Sequence, residues 1–140
     1  MMEKTLDHIG VAVRRIEDAI GFYKNVLGAE LIDRYRSEAK GVESEIAIMD
    51  IKGERTELLC PTNNTTSPIA RFIKQKGKGV HHIAYRVDDL EEALLELKKQ
   101  GIRVMEETRR TNKHGRRLIY LNPADTEGTI IEYCDYPIEK

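Results

Sequence analysis

The sequence predicts an α+β fold: two tandem βαβββ modules whose eight strands form one curved mixed sheet around a shared cleft. Three observations carry this expectation. First, the chain repeats itself: His8, Ile9, Val13, Glu17, Ala19 and Lys24 superimpose on His82, Ile83, Val87, Glu91, Ala93 and Lys98, all identities. Second, each half reads strand, helix, then three strands. Third, no stretch between the halves is rich enough in Gly or Ser to separate them, and 140 residues suit one domain or two fused half-domains. We therefore expect a single domain over 1–140, with module one at about 4–62, a linking helix at about 67–77 and module two at about 79–136.

The elements follow in order. "LDHIGVAV" is strand-like. "IEDAIGFYKNVLG" spaces Ile16, Ala19, Ile20, Tyr23 and Leu27 as one face of a helix. Three strand candidates come next, "AELIDRY", "SEIAIMDI" and "RTELLC", with "KGE" as the turn between the last two. "SPIARFIKQKG" reads as the short linking helix. The second half opens with the strand "HHIAYRV". The helix "DDLEEALLELKKQG" follows, with Asp88 or Asp89 able to cap its start and Gly101 able to end it. "IRVME", "RRLIYL" and "GTIIEYC" complete the second set of three strands. Each half must pack its helix on one sheet face, which leaves the other faces to curl together.

Composition narrows the partners. Hydrophobic residues make up 40% and charged residues 34%, with a net charge of -1, so nothing points to nucleic acid or a membrane surface. No apolar run approaches membrane-spanning length, and the opening "MMEKTLDHIG" lacks a signal-peptide core, so the expected location is cytoplasmic. Cys60 and Cys134 form no C-x-x-C pair and read as buried thiols rather than a disulfide or nucleophiles.

The repeat also aligns chemistry. His8 and His82 occupy equivalent places near the start of a first strand. A register one residue longer places Glu57 of "TELLC" on Glu132 of "IIEYC". A carboxylate among such apolar neighbours is costly unless paired or metal-bound. Two imidazoles and two carboxylates converging about a pseudo-twofold axis suit a divalent ion such as Co, Ni, Mn, Fe or Zn. Calcium, which prefers all-oxygen shells, suits them less. The expected metal set is His8, Glu57, His82 and Glu132. Successive strand side chains face opposite ways, so His81 should be the outward residue of "HH", a surface or loop hydrogen-bonder. His114 is read as a surface residue.

"LDHIGVAV…AIGFYKNVLGAE", "TELLCP", "SPIARFIKQKGKGVHHIAYRVDDLEEAL" and "NPADTEGTIIEYC" together resemble the methylmalonyl-CoA epimerase family. That family belongs to the vicinal oxygen chelate superfamily, which includes glyoxalase I. The resemblance implies the paired βαβββ fold and metal ligands at His8, His82 and Glu132. Glu57 falls where the family carries Gln or Glu. It also implies an acyl-CoA substrate, a homodimer, and inversion at the carbon between a carboxylate and a thioester through a metal-stabilised enolate. Inversion needs a proton acceptor on each face. Glu132 matches one, acting as ligand and base. The family position of the other is Ser44 here, flanked by Glu43 and Glu45. Both flanking residues point away from the face of Ser44 unless a bulge turns one inward; Glu45, nearer the strand body, is the expected second base. The basic loop "TRRTNKHGRRL" could meet the substrate carboxylate or CoA phosphates, and Lys74, Lys76 and Lys78 fit a polar helix face. Two rivals share the fold: a glyoxalase I-type lactoylglutathione lyase isomerising a hemithioacetal, and a non-catalytic small-molecule binding protein.

Overall fold

The structure is a computed structural model that describes residues 3–137. Met1, Met2 and residues 138–140, the two ends of the expected domain, lie outside the described residues. In chain order the elements are β1 (Lys4–Ala12), α1 (Ile16–Asn25), β2 (Glu30–Ser37), β3 (Ser44–Ile51), β4 (Glu54–Pro61), α2 (Pro68–Lys76), β5 (Gly79–Val87), α3 (Leu90–Lys99), β6 (Val104–Thr111), β7 (Arg117–Leu121), a 3₁₀ turn (Pro123–Asp125) and β8 (Ile131–Asp135). The strands form one mixed sheet in the order β2-β3-β4-β1-β5-β8-β7-β6. The order β-α-β-β-β, stated twice, is the one the repeat predicts. The chain divides into two compact units, one of His8–His81 and one of the chain up to Asp7 and from His82 onward.

In the unit of His8–His81, β1 pairs with β4 in parallel, and β2–β3–β4 form an antiparallel meander. Lys52 and Gly53 turn β3 into β4 with φ of 52° and 90°, the paired positive φ of a type I′ hairpin. Both sheet faces are covered. Ile16 and Ile20 of α1 pack with Ala47, Met49 and Leu58 on one face. Ile69 and Ile73 of α2 pack with Ala12, Ile46, Ile48 and Leu59 on the other. Double coverage is why "IAIM" and "ELLC" lack clean apolar–polar alternation. Ser67 caps α2 by accepting from the backbone N–H groups of Ile69 and Ala70, and Pro68 occupies the first helical position.

In the other unit, β5 pairs with β8 in parallel, and β8–β7–β6 form the antiparallel run. Leu90, Ala93 and Leu97 of α3 pack with Val87, Ile119, Leu121 and Tyr133. Asp89 caps α3 by accepting from Glu92 N–H, as expected for one of the two candidates. The strand expected at "IRVME" runs on to Thr111. A register shift between Met105 and Arg110 breaks its pattern. Thr108 bridges the irregularity: its hydroxyl donates to Met105 O at 2.6 Å and accepts from Tyr120 N–H at 2.9 Å.

Candidate active site

Pairing register decides which side chains share a face. Gly10 lies opposite Glu57 and Glu57 opposite Ile48, so the face of Glu57 is that of His8, Gly10 and Ala12. Glu57 is 5% exposed and His8 1% exposed. The Nε2 of His8 lies 3.6 Å from Oε1 of Glu57. In the other unit Ala84 and Tyr120 flank Glu132 in register, which gives His82, Glu132 and Tyr120 one face. His82 and Glu132 are also buried, and their Nε2 and Oε1 lie 3.4 Å apart. The Tyr120 ring lies tilted beside His82, centroids 5.4 Å apart.

His8, His82 and Glu132 form a group in which each residue offers one ligand atom, all within 4.8 Å of one another. Two imidazole nitrogens and a carboxylate oxygen are the donors a borderline divalent ion takes. The 3.4 Å between His82 Nε2 and Glu132 Oε1 matches two ligand atoms each ~2.1 Å from one ion at a tetrahedral angle, which lie ~3.4 Å apart. Glu57 stands outside this group of three, beside His8.

Glu45 requires a correction. It lies opposite Cys60 and Arg36, on the face that packs against α1, whereas Glu57 shares the opposite face with Ser44, Ile46 and Ile48. Its carboxylate accepts from Arg34 Nε at 2.7 Å, and Arg34 also pairs with Glu17 of α1. The strand is regular at Glu45, so alternation holds and nothing turns the side chain over. Glu45→Ala is therefore expected to leave turnover unchanged, with a stability change under ~1 kcal/mol; a kinetic assay beside a urea melt checks both. The irregularity falls at Glu43 instead, whose φ is 39°. Its carboxylate accepts from Gly41 N–H and the Thr66 hydroxyl, bracing the loop ahead of β3. Ser44 is buried and its hydroxyl donates to Val42 O at 2.8 Å.

His81 also departs from expectation. It is buried, with the Phe72 ring edge-on at 4.8 Å between centroids. Desolvation by that burial lowers its pKa from 6.5 to about 4. The folded protein thus keeps His81 neutral where the unfolded chain already binds a proton. His81 contributes stability that is fully present above pH 6.5 and is lost as pH falls toward about 4. Urea midpoints measured at several pH values should fall over this window, and His81→Phe should flatten that slope.

Arg116 is the residue that sequence reasoning did not single out from its basic loop. It is only 7% exposed. Its Nε lies 3.5 Å from Oε2 of Glu132 and its Nη1 3.7 Å from Oδ2 of Asp7. The Tyr136 hydroxyl donates to the same Asp7 carboxylate at 2.9 Å. A signal existed: Arg116, Leu118 and Tyr120 alternate onto the face of Glu132. His114 is exposed, as expected. Lys74, Lys76 and Lys78 are exposed too. Cys60 is half-buried and donates to Arg14 O, and burial raises its thiol pKa, which suits an unreactive filler. Cys134 is fully buried.

A family model described as the Glyoxalase/Bleomycin resistance protein/Dioxygenase superfamily matches residues 7–120. Methylmalonyl-CoA epimerase, mitochondrial, of Bos taurus is 38% identical over 128 residues, which cover 91% of this chain and 71% of that protein. The chain belongs to the methylmalonyl-CoA epimerase family. The solved methylmalonyl-CoA epimerase of Mycobacterium tuberculosis is 30% identical with a TM-score of 0.85, over 93% of this chain and 86% of that one. A further solved methylmalonyl-CoA epimerase, in complex with methylmalonyl-CoA and NH4+, is 26% identical with a TM-score of 0.83, over 96% and 95% of the two chains. The superfamily of these epimerases is typically metal-dependent. No helix among the described residues is long and apolar enough to cross a membrane.

Proposed function

We propose that this protein is a metal-dependent epimerase of methylmalonyl-CoA or a close acyl thioester, with His8, His82 and Glu132 as metal ligands and Glu57 as a fourth. The observation that carries the reading is the buried His-His-Glu group, in a chain whose relatives are methylmalonyl-CoA epimerases. A divalent cation there supplies Lewis-acid stabilisation of the negative charge left when the α-proton departs. Glu132 takes that proton. The flanking apolar strands exclude water, so the charge on its carboxylate is little screened. The imidazoles of His8 and His82 are buried, with carboxylate oxygens of Glu57 and Glu132 at 3.6 and 3.4 Å from their Nε2 atoms. The homodimer that the family resemblance implies belongs to this proposal as well.

With Glu45 on the opposite face, return of the proton on the second side falls to another group. Buried carboxylates among the described residues are Glu57, Glu132 and Asp135, and Asp135 is bound by Arg117. Glu57, the repeat partner of Glu132, is our choice. The same observation favours a second reading, glyoxalase I-type isomerisation of a hemithioacetal, which uses a pair of such glutamates.

The test is exchange of the α-hydrogen of methylmalonyl-CoA in deuterium oxide, with protein loaded with Co, Ni, Mn, Fe or Zn in turn. Deuterium entering that position is the expected result. Absence of exchange with every ion, alongside product from methylglyoxal and glutathione, would replace the epimerase by the second reading.

A further inference from the structure

The proton chemistry above does not use Arg116, yet its guanidinium is buried beside the carboxylate that matters most. The backbone fixes it there. Asn112 N–H donates to Arg116 O at 2.9 Å, and Arg116 N–H donates to Asn112 Oδ1 at 3.1 Å. Gly115, with φ of 78°, lets the chain turn tightly between them. From this clamp the side chain reaches two acids, Glu132 at 3.5 Å and Asp7 at 3.7 Å. Asp7 is steadied in turn by the Tyr136 hydroxyl, and the Tyr136 ring carries the Arg86 guanidinium 4.4 Å from its centroid. The result is a continuous row: Tyr136, Asp7, Arg116, Glu132, His82.

Two oxygens of Glu132 thus have separate surroundings. Oε1 faces His82 and Oε2 faces Arg116. A guanidinium never gives up its proton in a protein, so the 3.5 Å contact of Nε with Oε2 is an ion pair that sets a fixed positive charge beside that oxygen. An arginine already claimed by two carboxylates is poorly suited to receive a third from a substrate. We propose that Arg116 is a positioning residue for Glu132: its fixed charge draws Oε2 and thereby keeps Oε1 turned to His82, with Asp7 and Tyr136 as its anchor. This rests on the reading of Glu132 as a metal ligand.

The experiment is titration of the metal-free full chain with Co(II), read by affinity and by the visible absorption of the bound ion. Wild type, Arg116→Ala, Arg116→Lys, Tyr136→Phe and Glu132→Ala are compared. Arg116→Ala is expected to bind Co(II) ~10–100-fold more weakly, with a changed spectrum. Arg116→Lys should fall between it and wild type, and Tyr136→Phe should give a smaller loss in the same direction. In steady-state assays Arg116→Lys should lower kcat with KM little changed, as a residue that acts through Glu132 requires; a raised KM with kcat unchanged would instead make Arg116 a substrate contact and overturn the positioning role. Wild-type affinity and spectrum in all three variants, with Glu132→Ala losing the ion, would overturn the positioning role alone. Retention of Co(II) by Glu132→Ala would overturn the ligand reading, and this inference with it. Should Arg116→Ala fail to fold, the Lys and Phe variants carry the same comparison.

Discussion

Glu132→Ala is expected to fold, to lose high-affinity binding of a divalent ion, and to lose α-hydrogen exchange by ~10³-fold or more. The size follows from two roles resting on one side chain. As a ligand, Glu132 supplies the anionic donor of the His-His-Glu group. As a base, it accepts the proton. Glu132→Gln separates the roles in part: the amide oxygen can still approach an ion but cannot take up a proton. Gln should therefore retain more metal than Ala while exchanging hydrogen almost as slowly. Metal content by elemental analysis and exchange by mass spectrometry check both halves. Removing this carboxylate also takes a partner from the buried Arg116 guanidinium, so a lower melting temperature than wild type is expected for metal-free Glu132→Ala. Exchange is therefore compared at a temperature where circular dichroism shows both proteins folded.

The largest stability effect is expected at Asp135. This residue is fully buried at the end of β8. One carboxylate oxygen accepts from the backbone N–H of Leu90, the first residue of α3, at 2.8 Å. Arg117 donates from Nε to Oδ1 at 2.8 Å and from Nη2 to Oδ2 at 2.5 Å. Asp135 therefore ties strand β8, strand β7 and the N-terminus of α3 together, where a negative charge also favours the helix dipole. Asp135→Ala leaves a buried helix N–H and a half-buried guanidinium without their partner. We expect a loss of about 3 kcal/mol by urea denaturation. Asp135→Asn keeps one acceptor oxygen and should lose less.

Much of the fold was legible because its local signals agree. The strand–helix–three-strand order is written twice, and the caps at Ser67 and Asp89 stand where the periodic segments begin. Three residues that the repeat aligned, His8, His82 and Glu132, come together in the structure, because equivalent strand positions acquire equivalent faces. Glu45 was misread because its role depends on its partner across the sheet. Arg34 sits beyond the hairpin, and no local pattern announces that it will claim Glu45. His81 was misjudged for a related reason. Alternation turns it away from His82, but whether the far side is solvent or protein depends on where Phe72 of α2 comes to rest. Arg116 was hidden by composition: in a loop of five basic residues between Arg109 and Arg117, charge alone does not distinguish the buried guanidinium from the solvated ones. Asp135 was invisible for distance, since the helix it secures starts 45 residues earlier.

The most direct measurement is anomalous X-ray scattering from crystals of the protein soaked in cobalt. One strong peak within about 2.0–2.2 Å of nitrogen from His8 and His82 and oxygen from Glu132 is the predicted result. A fully soaked crystal with no peak at those three side chains, or with its only peak elsewhere, would contradict the account.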